Sequence, residues 1–145
     1  MPTTQPATCP PERVTTLRAD ALPLIKALLA ELGVSEIINS IVPAAREGVE
    51  FPYGELAEVV ITSRLDGIPI PFYEISDWAS KNAVPALFGI PAEKLTDDRL
   101  GDMLDHIGPY RELIWGWVLT RAIQRFGLDV SQLHTDPTKI AFEGS

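Results

Sequence analysis

Few residues in this chain can do metal or acid–base chemistry, and most of those have an ordinary structural use. The two histidines, His106 and His134, are too few for a histidine-based metal cluster. His106 falls near the end of an expected helix, where it can meet terminal carbonyls. The one cysteine, Cys9, excludes an internal disulfide framework and a cysteine-rich zinc site. Asp97, Asp98, Asp102 and Asp105 are dense enough to suggest a cation site. Their spacing instead puts them at a helix start and along its outer face, the pattern of a solvated face. No glycine-rich phosphate loop and no nucleophile elbow occurs. Arg121 and Arg125, four residues apart on the longest expected helix, are the candidate DNA-phosphate contacts. They can equally pair with Glu112 or Asp129, or face solvent. Asp136 stands in an expected strand, where it shares a face with His134 and Thr138. Aspartate is uncommon on strands, and one use for it there is to aim a carboxylate at a metal. Two-metal phosphoryl transfer needs several such carboxylates converging from different elements. From spacing alone, a strand-end or turn aspartate that caps backbone is the more ordinary reading of Asp136.

The elements that must position these residues are mainly helices. Ile25, Leu28, Leu29 and Leu32 recur at i, i+3, i+4, i+7 and predict a helix over 21–32. Asp20 is its expected cap, Pro23 fits its first turn and Gly33 is its stop. Ser35 is the expected cap of a short helix over 35–42, ended by Pro43. Leu56, Val59, Val60 and Leu65 predict a helix over 54–65, closed by Asp66-Gly67. After the extended link at 68–71, helices are expected over 72–80 and near 84–88, the latter ended by Gly89. Thr96-Asp97-Asp98 opens a helix carrying Leu100, Met103, Leu104 and Ile107, with two acids at its positive end. The longest helix is expected from Pro109 to Phe126, with Gly127 as its stop. Trp115, Val118, Leu119, Ala122 and Phe126 form one stripe on it, widened by Tyr110, Leu113, Ile114 and Trp117. So broad an apolar surface predicts a helix at the centre of a bundle. Beyond Gly127 the pattern changes to a strand signal over 133–142.

Composition bounds the function. The chain has 145 residues and a net charge of −8, which argues against gripping nucleic acid by charge alone. No apolar run approaches a membrane span and no signal-peptide pattern is present, so a cytoplasmic setting is expected. The first 16 residues hold four of the 13 prolines and almost no large apolar side chain, which predicts a disordered tail.

Several motifs, in order, resemble one family. The run Arg125-Phe126-Gly127-Leu128-Asp129, followed by Leu133-His134-Thr135-Asp136-Pro137-Thr138-Lys139-Ile140-Ala141-Phe142-Glu143-Gly144, resembles insertion-sequence transposases of the DDE class, in the IS-four-like group. There a Leu-His-x-Asp-Thr-Thr-type strand opens the catalytic core. Leu22-Pro23-Leu24-Ile25, Leu32-Gly33-Val34 and Glu36-Ile37-Ile38 are similar to the start of the N-terminal domain of those proteins, a domain of unknown function. Leu95-Thr96-Asp97-Asp98-Arg99-Leu100-Gly101 is similar to its Asn/Thr-Asp-Asp-Arg-Leu-Gly signature. The resemblance covers about residues 17–144.

It implies a mainly α chain: a tail over 1–16, a helical transposase N-terminal domain over 17–128, and over 129–145 the first β-strand of a truncated RNase-H-like core. It places Asp136 as the first carboxylate of an incomplete DDE triad and a metal ligand only in a complete core. It implies Mg2+ or Mn2+ for the full-length transposase and no cofactor for this chain. A lone carboxylate cannot hold two divalent ions, so the chain by itself is expected not to be an enzyme. Pro137 stands where the family has Thr and removes a ladder hydrogen bond, which fits a bulge or a decayed copy. The implied partners are transposon-end DNA in the full-length context and further copies in a homo-oligomer, without a membrane. The expected contribution is DNA-end binding or oligomer assembly. The alternative is a non-enzymatic interaction module, a truncated transposase that joins mixed oligomers and inhibits transposition.

Overall fold

The computed structural model describes residues 16–43, 50–67 and 69–131. The expected strand over 133–142, with His134, Asp136 and Pro137, lies outside the described residues, as does the expected tail apart from Thr16. The described chain is mainly helical. Its α-helices are α1 (Leu22–Leu32), α2 (Val34–Ile41), α3 (Tyr53–Leu65), α4 (Phe72–Lys81), α5 (Val84–Phe88), α6 (Asp97–Ile107) and α7 (Arg111–Phe126). Single 3-10 turns at Ala92–Lys94 and Gly108–Tyr110 lead into α6 and α7. Pro109 therefore sits in the turn before the longest helix rather than at its first residue. Among the described residues the extended pairing is one parallel bridge, Arg18 with Asn82, which ties the approach to α1 against the α4–α5 junction.

Helix ends follow local chemistry, with two corrections. Gly33, Gly89 and Gly127 adopt the left-handed conformation that closes α1, α5 and α7. Thr96 caps α6 by accepting a hydrogen bond from Arg99 N–H at 3.3 Å. Asp20 does not cap α1. Its side chain pairs with Arg18 at 2.6 Å, its φ is +35°, and Ala21 takes the cap position without a side-chain bond. Ser35 does not cap α2 either. The chain turns from α1 into α2 through Gly33 alone, so Ser35 is already helical and its N–H donates to Glu58 Oε1 at 3.2 Å.

The larger correction concerns the centre of the bundle. That place belongs to α3, which packs against α1, α2, α5 and α6. Tyr53, Gly54, Leu56, Ala57, Glu58, Val59, Thr62 and Ser63 are all buried along it. Small and self-satisfied residues make this possible. A Cβ on Gly54 would lie 2.4 Å from the Ser35 carbonyl oxygen, so α2 crosses α3 at a distance only glycine allows. Gly54 N–H also donates to Asn39 Oδ1 at 2.7 Å. The Thr62 and Ser63 hydroxyls donate to the Glu58 and Val60 carbonyls of their own helix. Glu58 is 2% exposed, and its carboxylate accepts from Lys26 Nζ of α1 at 2.6 Å and from Ser35 N–H of α2. Lys26 Nζ also lies over the Phe88 ring, 4.6 Å from its centroid. Around this axis Leu22, Leu56, Val59, Ile75, Val84, Ile90, Leu95, Leu100 and Met103 are almost fully buried.

Removing the carboxylate leaves the ammonium of Lys26 and the N–H of Ser35 without their acceptor. Glu58→Ala is expected to cost about 3 kcal/mol, below the upper end for buried pairs because Lys26 keeps some solvent. Glu58→Gln, which still accepts from Ser35 N–H, is expected to cost less. Chemical denaturation of both variants checks this; equal losses would put the whole effect in the ion pair and none in packing or in the hydrogen bond from Ser35.

Candidate functional site

The helix expected at the core lies at the edge. Of the 16 residues of α7 only Ile114 is buried. Trp115 is 67% and Trp117 56% exposed, and Leu113, Leu119 and Phe126 are also open to solvent. The inward stripe is narrow: Ile114 and Val118 pack on the core, and Arg121 and Arg125 continue the same face. The apolar residues that made α7 look central stand on its two flanks.

Arg121 and Arg125 dock the helix. Arg121 Nη1 donates to Glu36 Oε2 of α2 at 3.0 Å. It does so across Gly33: a Cβ there would meet the guanidinium at 1.8 Å, so the bare turn between α1 and α2 is the seat of this arginine. Arg125 Nε donates to Glu31 Oε2 of α1. That hydrogen bond, with the carboxylate charge, raises the Arg125 guanidinium pKa further above its ordinary value. The sequence offered Glu112 and Asp129 as partners. Glu112 is used instead by Arg111, at 3.5 Å, and Asp129 by the Ser131 N–H, at 2.9 Å, which lowers the Asp129 pKa. Partners on α1 and α2, remote in sequence, were not visible from spacing on α7.

Beneath one flank an apolar cleft of about 490 Å³ opens among α1, α2, α3, α6 and α7. Leu28, Leu65, Leu104 and Trp115 rim it, Val60, Met103 and Ile114 form part of its walls, and among the described residues Arg111 is the single charged one lining it. The other flank carries polar groups: the hollows beside Trp117 are lined by Glu36, Ser40 and Arg121 and by Glu112 and Thr120. Periodicity placed Leu28, Leu65 and Leu104 in the apolar patterns of their helices, but their exposure around one cleft was not visible from spacing.

The remaining described candidates form no reactive cluster, and Asp136 and His134 lie outside the described residues. Asp97, Asp98, Asp102 and Asp105 are exposed, and among the described residues no three His, Cys, Asp or Glu side chains converge on a metal-sized site. Asp102 accepts a hydrogen bond from Tyr53 Oη at 3.0 Å. His106 places Nδ1 2.8 Å from the Asp102 carbonyl oxygen and stacks on Tyr53, centroids 4.9 Å apart. In the Thr96–Gly101 signature, Thr96 caps, Leu100 enters the core, and Arg99 lies over Phe51 and beside Glu50. Lys94 hydrogen-bonds Glu50 at 3.1 Å and, with Arg99, holds its carboxyl below the usual carboxylate value. No described helix is long and apolar enough to cross a membrane.

If Gly33 is the seat of Arg121, Gly33→Ala strains a left-handed residue and displaces the guanidinium together. The expected loss is about 1–2 kcal/mol from the backbone alone, or roughly 4–10 °C in Tm. Hydrogen exchange should speed up over 118–126 in both Gly33→Ala and Arg121→Ala. Unchanged protection there would show that the ion pair does not hold α7.

Comparison with known proteins agrees with this division of the chain. No curated protein and no solved structure matches it. One family model matches residues 14–112, about two thirds of the length, spanning α1 to α6 and ending at the second residue of α7. The chain therefore belongs to the family defined by that domain, described as a domain of unknown function (DUF4277).

Proposed function

We propose that this chain is the N-terminal helical region of a DDE-type insertion-sequence transposase of the IS-four-like group, and that the region serves assembly of the protein rather than the cutting and joining of DNA. The motif resemblance over 95–101 and 125–144 supports the transposase part. In this reading Asp136 is the first carboxylate ligand of a complete core, where Mg2+ or Mn2+ would stabilise charge on the transferring phosphoryl group.

One observation carries the choice of assembly over DNA-end contact. Arg121 and Arg125, the two cations best spaced for phosphate, are drawn onto Glu36 and Glu31, while Trp115 and Trp117 of the same helix face solvent. A phosphate-binding helix would present its cations and hide its aromatic side chains. This one does the reverse, on a chain of net charge −8. Large exposed apolar surface is the mark of a face that another protein surface covers.

The test mixes the purified chain with an intact transposase of the same group and follows both by size-exclusion chromatography. A mixed complex and reduced transposition are expected; absence of co-elution would contradict the assembly role. In parallel, titration against duplex DNA carrying element ends at two salt concentrations should give no salt-dependent shift by the chain alone. A shift that weakens steeply with salt would favour end binding instead.

A further inference from the structure

We propose that the face around the apolar cleft, with Trp115 at its centre, is where a second copy of this chain docks. This rests on the assembly reading and names its surface. The face is made by Leu28 on α1, Leu65 on α3, Leu104 on α6 and Trp115 on α7, all exposed around one cleft. Helical spacing extends it through Leu24, one turn before Leu28, and Leu119, one turn after Trp115, both also exposed.

Area is the first argument. At these exposures six such side chains offer roughly 500 Å² of apolar surface. Two copies joined about a two-fold axis bring about 1,000 Å² together, and a polar rim takes the total into the range of stable interfaces, ~1,200–2,000 Å². Charge is the second. Each copy carries a net −8, so two copies repel unless they meet where acids are absent. The cleft meets that condition, since among the described residues Arg111 is the single charged one in its lining. The flank around Trp117 does not, because Glu36 and Glu112 line its hollows. A strongly basic partner would be drawn to that acidic flank, whereas an apolar cleft whose described lining holds no acid suits self-association, since interfaces between identical copies are more apolar than those of transient complexes.

Sedimentation equilibrium of the full chain, over roughly 5–300 µM, reads the result directly. A reversible dimer is expected, tightening as salt screens the repulsion between copies. Trp115→Glu and Leu104→Glu, on different walls, should each weaken it at least tenfold, while Trp117→Glu leaves it unchanged. A monomer throughout the range would overturn the proposal, meaning that the face is covered by this chain itself or kept for another partner. So would a dimer broken by Trp117→Glu and indifferent to the other two. Should a cleft variant lose its helical circular dichroism, the salt series on the unaltered chain decides: a dimer that loosens with salt is held by charge and contradicts the proposal. Co-elution with an intact transposase is scored separately, so self-association can fail while the assembly reading stands, and the reverse.

Discussion

Glu58 holds its carboxylate in the interior between three helices, and the groups that reach it come from two of them: the Lys26 ammonium on α1 and the Ser35 N–H on α2. A buried carboxylate is tolerated only with such partners, so α1 and α2 must approach α3 on adjoining sides. Gly54 lets α2 come close enough. Once Ser35 is fixed, the turn at Gly33 and the neighbouring Glu36 are fixed with it, and these form the seat of Arg121. The position of α7 thus follows from a polar contact on the far side of α2. Its docking face is spent on Ile114, Val118 and two ion pairs, which leaves the tryptophans outside.

Helix existence and helix ends were legible in the sequence because both are set locally. The periodic leucines and isoleucines of α1 and α6, the glycines at 33, 89 and 127 and the Thr96 cap act over one or two turns. The centre of the bundle was not legible, for a physical reason. A helix buried over most of its circumference needs no one-sided stripe, and α3 mixes Gly54, Ala57, Glu58, Thr62 and Ser63 with its aliphatic residues. Their burial depends on hydrogen bonds within the helix and to distant partners, which spacing cannot reveal. The opposite error arose at α7, where a broad apolar surface reads the same whether it is buried within one chain or awaits a second surface. Of the candidate site, the two arginines were named from the sequence, as phosphate contacts or ion-pair partners, whereas the two tryptophans were read there as core. The partners of the arginines and the exposure of Leu28, Leu65 and Leu104 around the cleft came only with the fold, while Asp136 lies outside the described residues.

The family boundary coincides with this division. Residues 14–112 carry the shared domain and hold the α3-centred core, whereas nearly all of α7 lies beyond the match. The part that the family model matches is therefore the scaffold that seats α7, and the aromatic surface belongs to the helix laid upon it. That arrangement suits a module whose fold is independent of what it assembles with. It also accounts for the signature at 96–101, whose cap, core leucine and Arg99 brace a helix rather than present a reactive group.

The central claim is that the Trp115 flank is bare in one copy and covered in two. Acrylamide quenching of a single-tryptophan protein, with Trp78 and Trp117 replaced by phenylalanine, measures this at the side chain itself. The account predicts strong quenching of Trp115 in dilute solution and a marked loss of quenching as concentration rises into the dimer range. Trp115 shielded equally at every concentration would contradict it, as would Trp115 equally open at every concentration.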